Sequence, residues 1–97
     1  LHWDIYLLPL NNDASNFFFK NIELFTKSTY SFIIGDYRNS IRSQLRAANN
    51  LNAKYALIVG EKEYSQKAVT IKYLNEEIAD RLIQFKDIND ELNNLPA

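Results

Sequence analysis

Short apolar runs alternate with amphipathic segments along this chain of 97 residues. The apolar runs predict five strands, at Trp3–Leu8, Tyr30–Ile34, Ala53–Val59, Ala68–Tyr73 and Arg81–Phe85. The amphipathic segments predict three helices, each preceded by side chains that can cap a first turn: Asn11–Asp13, Ser40 and Asp87. The apolar stripes of these helices are Phe18, Ile22 and Phe25, then Ile41, Leu45 and Ala48, then Ile88, Leu92 and Leu95.

The order of the elements predicts how the strands pair. Strand, helix, strand, helix, strand is typical of parallel strands joined by right-handed crossovers, so the first three strands should be parallel. The later connections are too short for a crossover, and the last two strands should therefore pair antiparallel. The sequence thus predicts one α/β domain over residues 1–97, with a mixed five-stranded sheet and helices on both faces.

Composition excludes most catalytic chemistry. The chain has no cysteine, a single histidine (His2) and two glycines, which leaves no thiolate nucleophile, histidine cluster or glycine-rich phosphate loop. The net charge of −1 and pI near 5.8 are unusual for a domain that binds nucleic acid through phosphates alone. No apolar run approaches the roughly 18 residues of a membrane span. Because the chain starts on Leu and lacks Met, we expect a piece of a longer protein.

Arginine recurs at spacings of four in Arg38, Arg42 and Arg46, on the second helix and the turn before it. One interpretation is a basic ridge for phosphate or base contacts, since a guanidinium offers a planar fork of donors. The other is a solvated helix face. Arg38 is the strongest candidate of the three, because it follows the carboxyl end of a strand, where ligands of open α/β sheets bind.

A charged segment from Gly60 to Glu63 follows the third strand at the same edge. Its carboxylates can accept hydrogen bonds from bases, or the segment can be a solubilising loop. Tyr37 and Tyr64, also predicted in loops at this edge, can stack on unpaired bases or cover a corner of the core. An acid–base or metal site formed by Asp36 with these carboxylates is disfavoured, because no nucleophile or histidine ligand accompanies them.

Four sequence blocks resemble the C-terminal anticodon-binding domain of class II aminoacyl-tRNA synthetases, and most closely its histidyl-tRNA synthetase version. They are Asp4–Leu10 (DIYLLPL), Arg38–Asn49 (RNSIRSQLRAAN), Ala53–Glu61 (AKYALIVGE) and Ala68–Lys72 (AVTIK). One departure is Asn52, which stands where the family usually has glycine, so this helix end must form its turn with Asn.

The resemblance implies a domain that reads the anticodon loop of tRNA(His) and is not catalytic in isolation. It implies a class II catalytic core in the same polypeptide, which handles ATP and Mg²⁺ and forms a homodimer in the cytoplasm, with no cofactor in this fragment. The alternative is a regulatory or sensor module, as in a histidine-biosynthesis subunit or an amino-acid-sensing kinase. The residues expected to face the anticodon are Asn11, Asn12, Tyr37, Arg38, Arg42, Glu61 and Lys62.

Overall fold

One mixed sheet organises the computed structural model, which describes residues 4–95. The sheet has five strands in the order β2-β1-β3-β4-β5. The strands are β1 (Ile5–Pro9), β2 (Phe32–Ile34), β3 (Tyr55–Val59), β4 (Ala68–Tyr73) and β5 (Arg81–Gln84). Strand β1 pairs parallel with β2 and β3, whereas β3–β4 and β4–β5 are antiparallel, which confirms the predicted pairing. The predicted first residue of β1, Trp3, lies outside the described residues.

Helices cover both faces of the sheet. They are α1 (Asn12–Lys20), α2 (Glu23–Thr26), α3 (Ile41–Asn50), α4 (Glu61–Ser65) and α5 (Ile88–Asn93), with a 3-10 turn at Phe85–Asp87. Alternate residues of β1 enter opposite cores: Ile5 and Leu7 pack with α1, α2 and α5, while Tyr6 and Leu8 pack with α3. Burial on both faces explains why β1 and β3 are continuous apolar runs. Within residues 4–95, no helix is long and apolar enough to cross a membrane.

The predicted first helix is broken into α1 and α2. The Asn21 side chain donates to Phe17 O at 2.9 Å and ends α1 there, so the stripe through Phe18 and Phe25 spans two short helices. Both of those rings are nevertheless fully buried. Phe19, which flanks the stripe, is 61% exposed.

The predicted core face of α3 is wrong at Ile41, which is 43% exposed, while Gln44 is only 1% exposed. Gln44 lies beside the last residue of β1, because its side-chain amide donates a hydrogen bond to Pro9 O. A residue one turn earlier therefore lies beyond the sheet and has no core to enter. At the other end of α3, Asn52 adopts φ 58°, which confirms that asparagine forms the left-handed turn expected there.

The predicted loop that carries Glu61, Lys62 and Tyr64 is instead helix α4, whose first turn holds Glu61 and Lys62, so that prediction is wrong. The turn forms because Gly60 is in the N-cap position and the Glu63 carboxylate accepts from the Gly60 N–H at 2.9 Å. The last predicted strand also ends one residue early, since Phe85 begins the 3-10 turn before α5.

Candidate nucleic-acid interface

Three loops lie along one edge of the sheet, because β2, β1 and β3 are parallel neighbours. These loops begin at Leu10, Gly35 and Gly60, each just past the carboxyl end of its strand, and the third consists of Gly60 alone because α4 begins at Glu61. Backbone hydrogen bonds hold them in place: Gly35 N donates to Leu7 O at 2.8 Å, and Leu10 N donates to Val59 O at 2.9 Å. This edge is the one at which ligands of open α/β sheets bind.

Gln44 of α3 supports two of these loops from inside the domain. Its Nε2 donates to Pro9 O at 2.8 Å and to Asn39 O at 3.0 Å, which ties the end of β1 to the loop after β2. Its Oε1 is buried and accepts no hydrogen bond within the described part of the chain. A Cβ on Gly35 would lie within 3.0 Å of this oxygen and of the Tyr6 phenol, so the close approach requires glycine.

Asp36 orients Arg38 in the loop after β2. Its Oδ1 accepts from the Arg38 backbone N–H at 2.9 Å and from Nε at 3.0 Å, and its Oδ2 accepts from Nη2 at 2.8 Å. These hydrogen bonds, with the guanidinium charge, lower the pKa of Asp36 from 3.8 to about 2. Burial and the nearby Asp36 charge raise the pKa of Tyr6, whose phenol lies beneath this loop.

The Arg38 guanidinium remains accessible despite this pairing, because the side chain is 77% exposed. A guanidinium has about five N–H donors, and Asp36 occupies one on Nε and one on Nη2. The others are held in a fixed plane at the sheet edge. Such an arrangement can donate to a base edge or a phosphate with little further loss of side-chain freedom.

The other predicted residues before β3 have different structural roles. Asn11 caps α1, since its Oδ1 accepts from Ala14 N at 2.8 Å, and its amide nitrogen is not needed for that bond. Asn12 is exposed in the first turn of α1. Tyr37 is 37% exposed in the same loop as Arg38. Arg42 is exposed in the first turn of α3, immediately beyond that loop.

The carboxylates after β3 divide into exposed and structural groups. Glu61 and Lys62 are exposed on α4, whereas Glu63 turns inward and accepts from Gly60 N and, through Oε2, from Thr70 Oγ1 at 2.9 Å. Burial alone would raise the pKa of Glu63, but these hydrogen bonds outweigh it and lower the pKa. Glu63 is therefore an anion fixed between α4 and β4.

Sequence reasoning missed Gln44, and it interpreted Glu63 only as one of the carboxylates of the Gly60–Glu63 segment and not as a structural group. Two signals were present. Gln44 is a polar residue within the apolar stripe of α3, three residues after Ile41 and four before Ala48. Glu63 stands three residues after a glycine that ends a strand, which is the spacing of a capping box. Among residues 4–95, no three His, Cys, Asp or Glu side chains are grouped as metal ligands.

Comparison with known proteins identifies the family. Residues 4–95 match the model of the family described as "Anticodon binding domain". The chain therefore belongs to the anticodon-binding-domain family. It is 32% identical over 69 residues to the histidine–tRNA ligase of Natranaerobius thermophilus, which covers 71% of this chain and 16% of that protein. The chain thus spans about a sixth of the length of that relative.

Solved structures share the fold at low sequence identity. The apo histidyl-tRNA synthetase of S. aureus has a TM-score of 0.81 at 14% identity, over 94% of this chain and 26% of that one. The RNA binding domain of threonyl-tRNA synthetase from Cryptosporidium parvum has a TM-score of 0.80 at 18% identity, over 94% of this chain and 23% of that one. These two likenesses confirm the predicted fold class.

Proposed function

We propose that this chain is the anticodon-reading domain of a histidine–tRNA ligase. The observation that carries the proposal is the family match over residues 4–95. The fold is also shared with a threonyl enzyme, so the fold alone does not decide the amino acid. The sequence identity to a histidine–tRNA ligase supports histidine. The regulatory alternative is not favoured, because the relative with this sequence identity is itself a ligase.

The chemistry of the sheet edge suits an unpaired RNA loop. Single-stranded loops are read by hydrogen bonds to base edges and by stacking, which does not demand a strongly basic surface. In this proposal Arg38 donates to a base edge or phosphate, Arg42 supports it from α3, and Tyr37 offers a stacking face. Donors and acceptors for other base edges come from the rest of the set: Asn11, Asn12, Glu61 and Lys62.

The rest of the reaction belongs to a larger protein in this proposal. A class II catalytic core in the same polypeptide would bind ATP, Mg²⁺, histidine and the 3′ end of the tRNA, and would form the homodimer. The cytoplasm is the place where such a ligase would act. The present chain would contribute recognition alone, with no cofactor of its own.

The decisive experiment compares two arginines in the full-length protein. Arg38→Ala should lower kcat/KM for aminoacylation by about 1–3 kcal/mol of transition-state binding, as for a lost base contact. Arg46→Ala is the matched control, because Arg46 is also exposed on the α3 arginine stripe but lies two turns further from the edge. Activation of histidine by ATP, measured without tRNA, should be unchanged in both variants. Equal charging by the Arg38 and Arg46 variants would refute the assignment.

A further inference from the structure

A second concave surface lies between α1, α4 and the end of β5. We call it the aromatic groove. Its volume is about 430 Å³, within the roughly 300–1,000 Å³ of small-ligand pockets. The lining residues are Asp13, Asn16, Phe17, Lys20, Asn21, Tyr64, Lys67 and Phe85. None of them belongs to the seven residues predicted to face the anticodon.

Three rings form one wall of the aromatic groove. Phe85 stacks on Phe17 with centroids 3.9 Å apart and an interplanar angle of 18°, and Tyr64 meets Phe85 edge-on at 6.5 Å. Phe17 is buried, so this pair is fixed by the core, whereas Tyr64 is 43% exposed. A rigid pair of stacked rings with a third, accessible ring beside it is typical of a surface on which nucleobases stack.

Two lysines give the aromatic groove a positive rim. The ion pairs within residues 4–95 include neither Lys20 nor Lys67, and the groove contains one carboxylate, that of Asp13. An occupant with an aromatic ring and a negative charge is complementary to such a surface. An unpaired nucleotide has both, in its base and its phosphate.

Lys67 has a backbone conformation that its side chain does not favour. Its φ of 51° is left-handed, at the end of α4, where glycine or asparagine is the usual residue. Its carbonyl accepts from Phe85 N at 2.8 Å, which locks the turn beside the aromatic wall. A lysine at a position that favours glycine suggests that its ammonium group has a role in the groove.

The aromatic groove adjoins the proposed anticodon edge. Two residues separate α1 from β1 and one residue separates α4 from β3, so both helices that line the groove begin at that edge. We propose that the aromatic groove binds one further unpaired nucleotide of the same RNA loop, with its base on Tyr64 and its phosphate near Lys20 and Lys67. This inference rests on the proposed function and extends it to the groove between α1 and α4.

Affinity measurements on the full-length protein with a tRNA(His) transcript test the proposal. Tyr64→Ala should raise Kd about tenfold, whereas Tyr64→Phe should bind like the parent, because stacking needs the ring and not the hydroxyl. Lys67→Gly removes the charge while relieving the left-handed backbone, so a loss of affinity cannot be ascribed to a weaker fold. For this variant, the slope of log K against log salt concentration should be shallower by about 0.7.

Controls separate this proposal from the preceding one. Lys86→Gln, at an exposed lysine outside the groove, should leave both Kd and the salt slope unchanged. If Arg38→Ala weakens binding while Tyr64→Ala and Lys67→Gly do not, the groove proposal is wrong and the anticodon edge stands. If Arg38→Ala, Tyr64→Ala and Lys67→Gly all leave Kd unchanged, the proposed function itself fails.

A cross-link identifies the occupant directly. A photoreactive phenylalanine analogue in place of Tyr64 should react with a nucleotide of the anticodon loop, which primer extension can locate. A cross-link to the catalytic core of the same protein would overturn the proposal and make the groove a contact between domains.

Discussion

Replacing Gly35 by alanine tests how tightly the loop after β2 is packed against the domain. The backbone itself does not demand glycine, because no glycine in the described chain has a positive φ. The demand is steric: a Cβ would lie within 3.0 Å of Gln44 Oε1 and of two atoms of Tyr6. Neither neighbour can easily move away, since Gln44 is 1% exposed and Tyr6 is 5% exposed.

The expected change in the free energy of unfolding for Gly35→Ala follows from two opposing effects. Overpacking a close-packed site costs about 1–3 kcal/mol. A Gly→Ala change at a compatible backbone conformation stabilises by about 0.4–1 kcal/mol, because the unfolded chain loses freedom. With three atoms to displace, the cost lies in the upper part of its range. We therefore expect Gly35→Ala to lower the free energy of unfolding by about 2 kcal/mol.

Gly60→Ala is the matched control, because it is the same change at the same sheet edge. There the nearest atoms to an added Cβ are Leu10 Cδ1 at 3.1 Å and Glu63 Oε1 at 3.2 Å, both at the ends of side chains. Its stability should stay within about 1 kcal/mol of the parent chain, since relief by a few tenths of an ångström suffices. Urea unfolding followed by far-ultraviolet circular dichroism measures both variants, and Gly35→Ala should shift the midpoint by about 1 M.

Equal midpoints for the two alanine variants would refute this reasoning. A double-mutant cycle sharpens the test. Gln44→Ala removes one of the obstructing atoms but leaves the Tyr6 ring, so the double variant with Gly35→Ala should lose less stability than the sum of the two single changes. A coupling energy of about 0.5 kcal/mol or more is expected for residues in contact. Strict additivity would mean that Gln44 does not confine Gly35.

Two further predictions concern the Asp36 pair and the end of α3. Carboxyl NMR titration should give Asp36 a pKa of about 2, and Arg38→Gln should return it towards 3.8. Because the folded-state pKa is the lower one, the stability from this pair is fully present above 3.8 and is lost as the pH falls towards 2. Asn52→Gly should raise the free energy of unfolding by up to about 1 kcal/mol, because glycine accepts the left-handed φ without strain; unchanged or lower thermal stability would contradict this.

The sheet could be predicted from the sequence because each strand has its own signal. Continuous apolar runs at β1 and β3 indicate burial on both faces, and the spacing between runs decides between crossover and hairpin. The breaks in helices could not be predicted in this way. Asn21 ends α1 through a local side-chain bond, and α4 is only five residues long, too short for any periodicity. Ile41 was misassigned because the point where the sheet ends is a tertiary property.

The position of the candidate site was also predictable, since parallel strands bring their carboxyl ends to one edge. The contacts within it were not. The orientation of Arg38 depends on a carboxylate two residues earlier, and the support by Gln44 depends on carbonyls at Pro9 and Asn39 that come together only on folding. Sequence spacing locates loops, but hydrogen-bond geometry decides which side chains are held and which are free.

The charge distribution of the chain is consistent with recognition of an RNA loop through its base edges rather than of a duplex through its phosphates. Arg38 is already paired with Asp36, so it brings directed donors to the edge with little net charge. Counterion release by Arg38 itself should therefore contribute little, and its discrimination would rest on hydrogen-bond geometry. Lys20 and Lys67, which enter none of the ion pairs of residues 4–95, supply charge without a fixed fork. Under the proposed function, directed donors at the sheet edge supply recognition. Attraction comes from cations outside the ion pairs of residues 4–95, both at the edge (Arg42, Lys62) and at the aromatic groove (Lys20, Lys67), so a net charge of −1 is no obstacle.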